Sequence, residues 1–72
     1  MYSVIKSKSG KTEVLYFYGL PVACKIEGST FAVKYVDKHI SKKVREWCET
    51  PPTLKDSGFF AKVALNVLIS VL

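Results

Sequence analysis

Seventy-two residues are enough for one domain and too few for a large core. Hydrophobic residues make up 49% of the chain, with four Phe, four Tyr and one Trp, so the composition excludes an intrinsically disordered protein. Eleven Lys and Arg residues against six Asp and Glu residues give a net charge of +5, which favours an acidic partner.

Cysteine usage and hydropathy bear on the compartment. Cys24 and Cys48 are too few for the disulfide framework of a small secreted domain, and residues 1–10 lack the basic-then-apolar pattern of a signal peptide. The longest apolar stretch, residues 59–72, contains Lys62 and Asn66 and falls short of the roughly 20 residues that cross a bilayer. We therefore expect reduced thiols, no membrane span and a cytoplasmic location.

Residues 1–36 are predicted to form a β-meander. Strand-forming residues at 2–8 and 13–18 flank Ser9-Gly10, which is typical of a hairpin turn. The unbroken apolar run at 14–18 predicts a strand covered on both faces, because strict alternation would instead indicate one face in water.

Two further strands complete the predicted sheet. Gly19-Leu20-Pro21 interrupts the pattern, so a third strand is expected to begin near Val22, and Gly28-Ser29 is expected to turn it into a fourth. The apolar positions are Val22, Cys24 and Ile26 in the third strand and Phe31, Val33 and Tyr35 in the fourth, with Lys34 on the opposite face.

At Asp37 the apolar period changes from two to about 3.6, which predicts a helix over residues 37–49 with Asp37 as its N-cap. Ile40, Val44 and Trp47 form the face that docks on the sheet, and the basic residues lie on the opposite side. Pro51 and Pro52 cannot continue the helix, so residues 50–57 are predicted to be a loop.

Residues 58–72 are almost wholly apolar. As a helix capped by Ser57, they place Lys62, Asn66 and Ser70 on one narrow stripe. A fifth strand is the competing interpretation, since the segment also alternates and is rich in β-branched residues; its length favours the helix. The sequence thus predicts one α+β domain, with a four-stranded antiparallel sheet followed by an amphipathic basic helix and an apolar C-terminal helix.

No arrangement of residues suggests catalysis or metal binding. His39 and Cys48 would lie on opposite sides of one helix, so they cannot act as a base and a nucleophile. Cys24, His39 and Cys48 also lack the paired spacing that holds zinc. We therefore expect no enzyme, no catalytic residue, no metal ligand and no cofactor.

The strongest functional signal is a basic set around the first helix, consisting of Lys34, Lys38, Lys42, Lys43 and Arg45. These residues are expected to bind a partner protein or the phosphates of a nucleic acid. Glu46 and Glu49 lie on the same helix, and pairing of Lys42 with Glu46 on a solvated face is the ordinary alternative. The aromatic residues of the strands are expected in the core rather than on a base-stacking platform.

The apolar tail is the second unusual feature. Its apolar arc covers more than half of a helix circumference, which predicts exposed apolar surface for a homodimer or for docking on a partner. The residues selected for this contact are Phe60, Leu65, Leu68 and Leu72. The alternative is a central helix held between the sheet and the first helix.

The residues from Val14 to Ala23, followed by Tyr35, Lys38-His39-Ile40 and Trp47, resemble a class of short uncharacterised proteins of tailed bacteriophages. Those proteins share a hairpin with a Tyr-x-x-Pro-Val-Ala step and a Lys/Arg-His-Ile helix start. The resemblance covers residues 13–49 and implies an accessory protein in the bacterial cytoplasm that binds proteins of the host cell. We therefore expect a stoichiometric inhibitor or modulator of a bacterial host protein, with nucleic-acid binding as the alternative.

Overall fold

The computed structural model describes residues 1–34 and 36–72. In chain order its elements are β1 (Tyr2–Lys6), β2 (Thr12–Phe17), β3 (Leu20–Ile26), β4 (Ser29–Val33), α1 (Lys38–Cys48), β5 (Thr53–Lys55) and α2 (Ser57–Val71). The strands form one sheet in the order β1-β2-β3-β4-β5, antiparallel from β1 to β4 and parallel between β4 and β5. The predicted α+β class is confirmed, and the predicted number of strands is one too few.

The additional strand, β5, lies inside the segment predicted to be a loop. Leu54 is aligned with Ala32 of β4, and the Lys34 amide donates a hydrogen bond to the Lys55 carbonyl at 3.0 Å. A parallel neighbour requires a crossover connection, and α1 is that connection. Three residues after Pro52 are too short to show an alternating pattern, so only the sheet itself defines this strand.

Ser9-Gly10 lies in the turn between β1 and β2, as predicted, whereas the other two hairpin turns fall one residue or more from their predicted positions. Tyr18-Gly19 joins β2 to β3 with φ values of 49° and 81°, and Glu27-Gly28 joins β3 to β4 with φ values of 48° and 90°. Two successive residues with positive φ are the requirement of the tightest hairpin turns, and glycine fills the second position in both. Consequently β3 begins at Leu20 rather than near Val22.

A bulge in β3 corrects the predicted orientation of Val22. Leu15 is aligned with Ala23 and Tyr16 with Pro21, so Val22 is an extra residue opposite the β2 strand. An extra residue shifts the alternation of side chains. Val22 therefore packs beside Ala23, on the sheet face opposite the one reached by Cys24 and Ile26.

The sheet separates two hydrophobic clusters. Leu15, Val22, Ala23 and Ala32 pack against Val44 and Cys48 of α1. On the other face Val14, Tyr16 and Cys24 pack against Phe60, Ala64 and Val67 of α2. The helices thus cover opposite faces, and the alternative in which α2 lies between the sheet and α1 is wrong. The prediction that the second strand is covered on both faces is confirmed.

The end of β4 lies beside α2. The strand stops at Val33, and the Phe31 ring packs against Phe59 with centroids 5.1 Å apart. Phe31 and Val33 are half-buried, as expected for inward positions, and Lys34 is exposed. The predicted inward position of Tyr35 lies outside the described residues.

Helix α1 follows the sequence prediction closely. The Asp37 Oδ1 atom accepts a hydrogen bond from the His39 amide at 2.9 Å, which confirms the N-cap. Val44 is buried against the sheet, whereas Ile40 and Trp47 are half-buried at its flank. The Lys25 Nζ atom lies 4.5 Å from the centroid of the Trp47 ring, so the ammonium group of Lys25 covers one face of this ring.

Residues 57–71 form helix α2, so the strand interpretation of the tail is wrong. The N-cap is Asp56 rather than Ser57, because the Asp56 Oδ1 atom accepts a hydrogen bond from the Phe59 amide at 3.2 Å. Phe60 is fully buried beneath this helix. Neither described helix is long and apolar enough to cross a membrane.

Candidate functional site

The five basic residues predicted as a binding set are all exposed, and they divide into two groups. Lys38, Lys42 and Arg45 share one stripe of α1, and Arg45 lines a groove with Lys34 at the end of β4. Lys43 points elsewhere, because residues two positions apart in a helix lie about 160° apart around its axis, and Lys43 is two positions before Arg45. The structure therefore separates Lys43 from the other four.

Lys34 and Arg45 line one small groove between α1 and β5, together with Ser41, Val36, Pro52 and Leu54. We refer to these six residues as the basic groove. Its volume is about 60 Å³. Binding pockets for small-molecule substrates occupy roughly 300 to 1,000 Å³, so the basic groove has room for a single side chain rather than for a substrate.

The chemistry of the basic groove suits a carboxylate on a short aliphatic stem. Arg45 supplies a planar guanidinium that can donate two parallel hydrogen bonds to one carboxylate, and Lys34 adds a second cation. Ser41 adds a hydroxyl group, while Val36 and Leu54 provide apolar contact for methylene groups. An aspartate or glutamate side chain of a protein matches this combination.

The two thiols lie in environments that suppress their reactivity. Burial raises the pKa of the Cys24 thiol to about 12. Burial also raises the pKa of the Cys48 thiol, although the charges of Lys25 and Arg45 act in the opposite direction. His39 is exposed while Cys48 faces the sheet, so the two do not meet. Among the described residues, no three His, Cys, Asp or Glu side chains gather as a metal site.

The predicted docking residues of the tail fall on different sides of α2. Leu65, Leu68 and Leu72 are exposed, whereas Phe60 is fully buried against the sheet. Phe60 precedes Leu65 by five residues, which places the two about 140° apart around the helix. The prediction that Phe60 is a docking residue is therefore wrong. Ile69, which the sequence analysis does not predict for docking, is exposed beside the leucines.

The aromatic residues offer little surface for stacking on bases. Tyr16 is buried, and Tyr2, Phe17 and Phe31 are half-buried. Among the described aromatic residues, Tyr18 alone is exposed, because it occupies the first positive-φ position of a hairpin turn. The expectation that most of these rings pack in the core is confirmed for Tyr16 and is wrong for Tyr18.

Comparisons with known protein families, with curated proteins and with solved structures find no match to this chain.

Proposed function

We propose that this chain is a small non-enzymatic binding protein that attaches stoichiometrically to a bacterial protein and inhibits or modulates it. The basic groove carries this proposal, because two cations, Lys34 and Arg45, line a groove with room for one side chain. The resemblance to short phage proteins supports a bacterial partner and a location in the bacterial cytoplasm.

A protein partner fits the basic groove better than a phosphate backbone does. The core of a protein interface combines apolar contact with arginine anchors, and Val36, Pro52 and Leu54 line the same groove as Arg45. A nucleic-acid backbone instead requires an extended row of cations. Glu46 and Glu49 interrupt such a row on α1.

Nucleic-acid binding remains the second candidate because of the net charge of +5 and the exposed stripe of Lys38, Lys42 and Arg45. This function predicts measurable DNA or RNA affinity that falls steeply as the salt concentration rises, because the counterions displaced by the protein then gain less entropy on release. It also predicts that the apolar residues of the basic groove contribute nothing.

The deciding experiment is capture from a bacterial lysate with the charge-reversed variant Lys34→Glu/Arg45→Glu. The control variant is Lys8→Glu/Lys11→Glu, in which two exposed lysines of the first hairpin undergo the same change of charge. Each variant and the parent chain are immobilised, and the captured proteins are compared with and without nuclease.

We expect the parent and the control to capture the same protein band and the groove variant to lose it. Equal loss in both charge-reversed variants would show that overall charge, not the basic groove, is responsible. Capture that disappears on nuclease treatment would contradict the proposal and establish the nucleic-acid alternative.

A further inference from the structure

We propose that a second copy of this chain covers the outer face of α2, with the two helices packed antiparallel. The outer face consists of the exposed residues Ala61, Leu65, Leu68, Ile69 and Leu72. It lies on the flank of α2, because its residues are about 80° to 180° around the helix axis from Phe60, which is buried with Ala64 and Val67 against the sheet. The proposal concerns a surface distinct from the basic groove.

The spacing of the outer face indicates that its partner is a helix. Ala61, Leu65, Leu68 and Leu72 follow one another at intervals of four, three and four residues. This spacing is the seam of a pair of helices wound around each other, in which each side chain enters a gap between residues of the facing helix. A second copy supplies the matching seam.

The sizes of the side chains favour the antiparallel direction. In that direction Ala61 faces Leu72 of the second copy and Leu65 faces its Leu68, so the smallest residue of the seam meets the fully exposed leucine. A parallel pair would set Ala61 against Ala61 and leave a void. Antiparallel helices also place opposite ends of their dipoles side by side.

The exposed area is sufficient for a reversible dimer. Leu65, Leu68, Ile69 and Leu72 are exposed by 58%, 43%, 60% and 100%. These fractions correspond to about 500 Å² per copy, near the upper end of the largest apolar patch on an ordinary monomer. Two such faces bury about 1,000 Å², which is the lower limit of a specific interface. We therefore expect a weak dimer that dissociates on dilution.

Charge argues against a lipid surface as the occupant of this face. A helix that lies on a membrane carries many Lys and Arg residues along its polar side. The only cation of α2 is Lys62. In the antiparallel pair the two Lys62 residues stand about 13 Å apart along the axis, far enough for solvent to screen their repulsion.

The first test is sedimentation equilibrium over a roughly hundredfold range of concentration, where mass action shifts a reversible dimer. The parent should pass from monomer to dimer, and Leu65→Glu should remain monomeric. The matched control is Leu20→Glu, which changes an equally exposed leucine at the β2–β3 turn and should dimerise like the parent. A parent that stays monomeric at the highest concentration would overturn the proposal.

Cysteine cross-linking tests the direction of the helices. Ala61→Cys/Leu72→Cys should form a covalent dimer on oxidation, while Ala61→Cys alone should not, because the two Ala61 positions lie about 16 Å apart along the axis. Cys24 and Cys48 are buried and do not compete. Cross-linking of the single variant would establish a parallel pair and refute the antiparallel one, as would a double variant that remains uncross-linked.

Discussion

Phe60 provides the sharpest test of how the tail is oriented. Its side chain is fully buried between Val14, Cys24 and the rest of the α2 cluster, and the Phe59 ring meets it edge-on with centroids 5.3 Å apart. Phe60→Ala should cost about 3 to 5 kcal/mol, because the removed ring leaves a cavity in addition to the lost burial. A domain of this length has a total stability of about 4 to 11 kcal/mol, so the variant should be near the limit of folding.

The measurement is urea unfolding, followed by circular dichroism and by the fluorescence of Trp47, at a protein concentration low enough to keep the chain monomeric. With a slope of about 1 kcal/mol per molar urea, the midpoint should fall by about 3 to 5 M. Phe60→Leu should lose less and stay folded. Leu65→Ala should change stability by less than about 1 kcal/mol, because that residue is exposed. Equal midpoints for Phe60→Ala and Leu65→Ala would refute the orientation of α2.

Three other predictions concern single groups. Tyr16→Phe should be neutral or stabilising by about 1 kcal/mol in thermal unfolding, because no described group bonds the buried Tyr16 hydroxyl; a loss of stability would reveal a partner. Trp47→Ala should cost about 1 to 3 kcal/mol in the same assay, less than full burial implies, since the ring is half-buried beneath Lys25; complete unfolding would contradict this. Because folding raises the pKa of the Cys24 thiol from 9.0 to about 12, its contribution to stability should be complete below pH 9 and disappear as the pH rises toward 12. The stability difference between the parent and Cys24→Ala should narrow over that range, and a constant difference would exclude the thiol as the cause.

Signals that operate within a few residues could be predicted from the sequence. The carboxylate of Asp37 and the change of period that follows it define the start of α1, and the cap forms as expected. The length of the apolar tail was enough to favour a helix over a strand, and α2 spans Ser57–Val71. In both segments the deciding interactions join residues within four positions of each other, so the local pattern contains the information.

Features that depend on distant neighbours could not be predicted. β5 is a strand only because β4 offers its edge to Thr53–Lys55, and three residues have no pattern of their own. The bulge at Val22 depends on how β3 aligns with β2, and it reverses a face that simple alternation assigns. Pro51 and Pro52 indicate only that the helix ends, so the sequence predicts an irregular loop over all of residues 50–57.

The candidate site also combines features that the local sequence predicts with features that depend on distant neighbours. Exposure of Lys38, Lys42 and Arg45 follows from the helical period, and the structure agrees. The sequence predicts Lys34 beside the basic residues of the first helix but not the groove that Lys34 shares with Arg45, since β5 forms one wall of that groove. The sequence wrongly predicts that Phe60 is on the exposed side of α2. An almost wholly apolar helix has no polar stripe wide enough to indicate which side faces the sheet.

The two buried thiols give this small domain a pair of internal reporters. Cys24 of β3 lies beneath α2, and Cys48, the last residue of α1, is buried against the opposite face of the sheet. A thiol reagent can modify each one only while its own helix is detached, so the two labelling rates measure two local opening equilibria. Equal rates would mean that the sheet and both helices separate in a single event. A faster rate at Cys48 would mean that α1 lifts away while the α2 side remains closed.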